Sequence, residues 1–80
     1  MRNSGQSLER RLAKGIAERI RSQRTATGLS QEELGSRAKI HRTYIGAVER
    51  AEKSVTVATL GKIARALRCK LKDLLPDESD

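Results

Sequence analysis

Apolar residues recur near the start of the chain at Leu8, Leu12, Ile16 and Ile20, every fourth position, with Ala13 and Ala17 beside them. That spacing places the side chains on one face of a helix. Ser7 precedes the pattern and is expected to cap it, because a serine hydroxyl can accept a free first-turn N–H. Gly15 weakens this first helix slightly, and Gly28 stands where a left-handed residue would close it. Further on, Val57, Leu60, Ile63, Ala64 and Leu67 again fall at helical spacing behind a second capping hydroxyl, Thr56. A last short helix is predicted near residues 71–75, where Pro76 stops it. Residues 1–6 have nothing to bury and are expected to be a disordered arm. Residues 77–80 are expected to form an acidic, frayed tail. No segment alternates with period two over a useful length, so no strand is predicted.

The middle of the chain breaks the regular stripe. Between Gln31 and Arg50, Leu34, Ala38, Ile40, Ile45 and Val48 are separated by four, two, five and three positions. No single helix faces a core with those spacings; two short helices broken near Lys39 and Ile40 do, with side-chain-free Gly35 where they cross. Ser30 and Glu33 have capping-box spacing, which starts a helix over about residues 31–38. His41 is a less usual cap for the next helix, over roughly residues 42–50, followed by a polar connection at residues 51–55. The pattern is that of a helix-turn-helix, whose second helix is presented outward to a DNA major groove. The fold class predicted is all-α, five short helices around one aliphatic core, with residues 7–76 as the folded domain.

Composition narrows the partner. Lysine and arginine number 17 against 10 aspartates and glutamates, a formal net charge of +7, and the pI is near 10.3. Such a balance suits nucleic acid or an anionic membrane surface. Tyr44 is the only aromatic residue, which disfavours the stacking platforms of single-strand and RNA binders. A membrane-surface peptide would need one long amphipathic helix with exposed aromatics, whereas these stripes are short and capped. The single cysteine, Cys69, excludes an intrachain disulfide and fits a reducing cytoplasm. No apolar run is long enough to span a bilayer. One histidine and one cysteine 28 positions apart do not make a metal site, so Cys69 reads as a small buried apolar residue. No catalytic set or phosphate-cradling glycine loop is present; neither enzyme activity nor a cofactor is expected.

The combination Gly28-Leu29-Ser30-Gln31, Arg42-Thr43-Tyr44-Ile45, Glu49-Arg50, Thr59-Leu60 and Ile63-Ala64 resembles the lambda-repressor-like (Xre-type) helix-turn-helix family over about residues 13–75. Arg42-Thr43-Tyr44, the Val48-Glu49-Arg50 ending and the short length are similar to the controller proteins of restriction–modification systems. The resemblance implies a sequence-specific, double-stranded-DNA-binding transcriptional regulator. The sequence departs from the family at Lys39, Ala51 and Arg68, each standing where glycine is usual, and at Lys39 a non-glycine residue is therefore expected at positive φ.

Carried over by position, Arg42, Thr43 and Ala47 are the base-reading candidates. An arginine there can pair with guanine O6 and N7, for about 1–3 kcal/mol of discrimination; the alternatives are a phosphate contact or a solvated side chain. Gln31, Tyr44, Arg50, Ser54, Lys39, His41 and Lys53 are backbone-contact candidates. For Gln31 the alternative is packing at a helix start; for Tyr44 it is a ring packed on the second helix or the following loop. Arg24 and Glu49 are implied to pair and hold the recognition helix at its angle. One recognition helix reads too few base pairs to select a site, so a homodimer on a palindromic operator is expected, with half-sites about 34 Å apart or a multiple of that. Leu67, Leu71, Leu74 and Leu75, with Val57 and Leu60 nearby, are the interface candidates; the alternative is that they complete the monomer core. A competing function is an antitoxin that binds a toxin partner and autoregulates its operon.

Overall fold

The computed structural model describes residues 7–77. It contains four α-helices, α1 (Leu8–Ala26), α2 (Gln31–Ala38), α3 (Arg42–Glu49) and α4 (Val57–Leu67), followed by one 3-10 turn, Leu71–Leu74. The fold is all-helical, but its last element is a 3-10 turn and not a fifth α-helix. Pro76 disfavours helical backbone at the preceding residue, and Leu75 is extended (φ −97°, ψ 134°). The arm expected at residues 1–6, and residues 78–80 of the acidic tail, lie outside the described residues.

All four α-helices begin on a side-chain acceptor. Ser7 Oγ accepts from the Arg10 N–H (3.1 Å) and Thr56 Oγ1 from the Thr59 N–H (3.1 Å). The capping box is complete: the Glu33 N–H donates to Ser30 Oγ (3.0 Å), and the Ser30 N–H donates to Glu33 Oε1 (2.8 Å). Its backbone donor, and then the Ser30 hydroxyl, lower the Glu33 pKa. At α3 the cap is an imidazole, His41 Nδ1 accepting from the Thr43 N–H at 3.0 Å.

All four also end alike. Beyond each last turn an N–H reaches back five residues to a carbonyl: Leu29 to Arg24, Ile40 to Gly35, Glu52 to Ala47 and Cys69 to Ala64, at 2.8 to 3.1 Å. This Schellman closure needs a left-handed residue just before the donor. Gly28 supplies it at φ 77°; Lys39, Ala51 and Arg68 supply it at φ 60°. Three non-glycine residues therefore occupy a conformation that costs roughly 1 kcal/mol or more without glycine. The carbonyls they satisfy, and the core contacts of the chain that follows, hold them there.

Ile20, Leu34, Ile45, Ile63 and Leu74 form the fully buried centre, one or more from every element. Leu29, Val48, Leu60 and Leu67 complete it, and half-buried Ile16, Ile40 and Tyr44 pack around it. Two residues of the apolar stripes stay out: Leu8 is 63% exposed and Val57 73%, each in the first turn of its helix. Two glycines mark close approaches. A Cβ on Gly35 would collide with the Ile40 carbonyl oxygen, so α2 turns into α3 only because that position is bare. A Cβ on Gly15 would lie 2.6 Å from Pro76 Cβ. The chain thus returns after α4 to pack on α1, which explains a glycine in mid-helix better than propensity does.

Leu67 (3% exposed) and Leu74 (0%), both candidates for an interface between chains, are core residues of the monomer. Leu60 is buried too. Closing a four-helix core this small consumes them, because the 3-10 turn folds back over α4 and α1. Half-buried Leu71 and exposed Leu75 remain available. Among the described residues, no helix is long and apolar enough to cross a membrane.

Candidate nucleic-acid interface

Glu49 organises the outward face of the molecule. It ends α3, is 3% exposed, and is the one buried charged residue among the described residues. Arg24, in the last turn of α1, grips it with both arms: Nε to Oε2 at 2.6 Å and Nη2 to Oε1 at 3.0 Å. Its remaining arm, Nη1, donates to the Leu29 carbonyl at 2.8 Å. The Glu49 hydrogen bond raises the already high Arg24 pKa against the opposing effect of burial, so the guanidinium stays charged. The third donor to Glu49 is Gln31, whose Nε2 lies 2.9 Å from Oε1. One carboxylate therefore ties the end of α1, the start of α2 and the end of α3 together. A buried pair so fully hydrogen-bonded specifies an orientation more surely than it adds stability.

The front of α3 stands clear of this lock. Arg42 and Thr43 are exposed. Among the described residues Arg42 has one loose partner, Glu32, at 3.9 Å, and both side chains are well solvated (64% and 75% exposed). A contact that long and wet holds Arg42 weakly, leaving its fork of donors free for a base edge. Gly46 lies one turn further along, beneath Gln31 and Arg50: a Cβ there would be 3.1 Å from Arg50 Nη1 and 3.3 Å from Gln31 Oε1. Ala47, expected beside Arg42 and Thr43 as a base reader, is only 8% exposed. It sits on the inward half of the short helix, with little side-chain surface turned outward.

The backbone candidates divide. Lys39, His41, Lys53 and Ser54 are exposed around α3. Because His41 Nδ1 accepts a hydrogen bond, the neutral ring carries its proton on Nε2, which leaves a donor for a phosphate. Gln31 is half-buried with its amide N–H turned inward to Glu49. What it offers outward is the start of α2, where the Gln31 and Glu32 N–H groups find no acceptor among the described residues. Tyr44 is packed against the core, and its hydroxyl donates to the Ser54 carbonyl at 3.2 Å. The ring is thereby a strut under the α3–α4 loop. Arg50 is held by Glu52, Nε to Oε2 at 3.0 Å and Nη2 to Oε1 at 3.1 Å; each group moves the other's pKa toward the charged form.

Sequence reasoning missed the Gln31–Glu49 and Arg50–Glu52 contacts. The first joins residues 18 apart and has no local signature; the second is a two-residue spacing across a left-handed turn, which helical pairing rules do not cover. Cys69, expected to be buried, is half-buried. Burial, and then the nearby Asp73 carboxylate, raise its pKa and keep the thiol protonated. No three of His, Cys, Asp and Glu cluster among the described residues.

Two short helices joined by a three-residue turn, the second with its leading edge exposed and its trailing edge locked by a buried ion pair, define a DNA-binding helix-turn-helix domain. The chain belongs to the helix-turn-helix family HTH_3, whose family model matches residues 20–74. It is 48% identical over 60 residues to the control protein C.SmaI of Serratia marcescens, covering 75% of this chain and 71% of that protein. To the control protein C.BamHI of Bacillus amyloliquefaciens it is 41% identical over 49 residues, 61% of this chain and 60% of that one. Among solved structures it is similar to the restriction-modification controller protein C.AhdI from Aeromonas hydrophila (TM-score 0.76, 37% identity, 78% of this chain and 94% of that one). It is similar also to a hypothetical transcription factor from Neisseria (TM-score 0.81, 31% identity, 98% and 90%).

Proposed function

We infer that this chain is a transcriptional regulator that binds double-stranded DNA sequence-specifically, in the cytoplasm, as the controller of a restriction–modification system. The observation that carries the reading is the exposed, weakly partnered Arg42 and Thr43 at the front of a helix whose rear is locked by Arg24, Glu49 and Gln31. Its relatives C.SmaI, C.BamHI and C.AhdI, all control or controller proteins, support the narrower assignment. Arg42 and Thr43 read bases, while His41, Lys39, Lys53, Ser54 and the start of α2 contact the sugar–phosphate backbone. The working unit is a homodimer on a palindromic operator, because one α3 covers only a few base pairs. Leu75 (44% exposed) and half-buried Leu71 are the C-terminal apolar surface for that pairing, with Val57 as a further exposed residue.

Selection of bound duplexes from a random pool tests the function. A palindromic motif is expected, and Arg42→Ala should relax preference at one position of each half-site by about 1–3 kcal/mol. If the chain enriches no motif, the reading fails. Sedimentation of the protein near its operator-binding concentration tests the dimer; a monomer bound singly to a full operator would overturn it.

A further inference from the structure

On the α1 side of the molecule lies an open groove of about 550 Å³, bounded by Arg10, Lys14, Glu18 and Arg21 on one wall and by Arg50 on the other, with Ala17 beneath. The three α1 cations recur at helical spacing on one face of the helix. Their side chains are exposed and make no hydrogen bond or ion pair among the described residues. The rest of the groove's charge is nearly spent: Glu49 is neutralised by Arg24, and Arg50 is paired with Glu52. Glu18 is the one opposing carboxylate with no such partner, leaving three uncommitted cations against one anion.

The groove and the surface of α3 share Arg50: its Nη1 lies over Gly46, next to the Gln31 side chain, and the residue also lines the groove. From Arg10 to Arg21 the helix rises about 16 Å, a length of duplex axis along which each strand carries about five phosphates. Uncommitted guanidinium and ammonium groups in an open trough are the donors a phosphate backbone takes.

We propose that this groove is a second backbone-binding site: Arg10, Lys14 and Arg21 of α1 hold phosphates of the same duplex whose bases lie under α3, and Glu18 weakens that contact. The proposal rests on the DNA-binding reading above. The groove binds without regard to sequence, so it sets affinity and salt dependence while α3 sets the motif.

The test compares salt dependence and motif for three proteins besides the wild type. In Arg10→Gln/Lys14→Gln/Arg21→Gln, the slope of log affinity against log salt should fall by about two to three units, about 0.9 for each phosphate released. Affinity should drop about tenfold or more at moderate salt, as expected for losing several exposed charge contacts, while the selected motif stays the same. Glu18→Gln should shift affinity the opposite way. Lys62→Gln/Arg65→Gln/Lys72→Gln removes the same charge from exposed positions outside the groove and should leave the slope near wild type. An unchanged slope in the first variant overturns the proposal, as does an equal fall in the charge-matched variant. Failure of the DNA-binding reading has a different signature: no protein in the set, wild type included, enriches a motif.

Discussion

Replacing Glu49 with alanine tests whether the buried ion pair holds the recognition helix. The carboxylate is 3% exposed and accepts three hydrogen bonds, two from Arg24 and one from Gln31. Its removal orphans two guanidinium N–H groups and a glutamine amide. Breaking a buried pair by deleting one partner costs about 3–5 kcal/mol. Arg24 keeps its bond to the Leu29 carbonyl and its side chain is 14% exposed, so part of it can rehydrate. That places the expected cost at the low end, about 3 kcal/mol. For a domain of this size each kcal/mol moves the melting temperature by about 4–8 °C, so a fall of about 12–24 °C is expected in a thermal melt followed by circular dichroism.

DNA affinity, measured at a temperature where the variant is still folded, should fall as well, because α3 loses its tether to α1 and α2. The double variant Arg24→Met/Glu49→Leu separates the two effects. Apolar replacement of a buried pair is often neutral or stabilising, so melting temperature should largely recover while DNA affinity stays low. Unchanged melting temperature together with unchanged affinity in Glu49→Ala refutes the reasoning.

Substitutions at three further positions test the local architecture. Gly35→Ala forces a methyl into the Ile40 carbonyl at the α2–α3 turn and should destabilise by about 1–3 kcal/mol, seen as a lower denaturation midpoint; a neutral effect would mean the turn can open without cost. Lys39→Gly relieves a left-handed non-glycine residue (φ 60°), and its gain, reduced by the greater freedom of glycine in the unfolded chain, should be about 0.5–1 kcal/mol in urea unfolding. Lys39→Val should be worse than wild type, since a β-branched residue is a genuine outlier there. For Glu33, Ser30's N–H and hydroxyl hold the folded pKa below its ordinary value of 4.5. A carboxylate depressed in the folded state contributes stability above its unfolded pKa and loses it as pH falls through the folded one. Wild-type melting temperature should therefore decline on acidification below about pH 4.5, and Glu33→Gln should make that decline shallower; an identical acid limb would show that the capping carboxylate is not part of it.

Helix starts, helix ends and the break in the middle of the chain were legible because their causes are local. Ser7, Ser30, His41 and Thr56 cap helices through N–H groups two or three residues away, and Gly28 closes α1 within one turn. The positive φ at Lys39 was expected because the family usually has glycine there, and the structure adds Ala51 and Arg68. The resemblance to a known family added the Arg24–Glu49 pair, whose partners lie 25 residues apart. Only the tertiary structure decided the rest. It turned the Gln31 amide inward to Glu49, left Ala47 only 8% exposed, and drew Leu67 and Leu74 into the monomer core. It also set Pro76 against Gly15 and placed the Arg10, Lys14 and Arg21 row beside Arg50. The physical reason is common to all of these. Periodicity tells which residues share a helix face, but the destination of that face depends on helices distant in sequence, and a core this small leaves few alternatives once they meet.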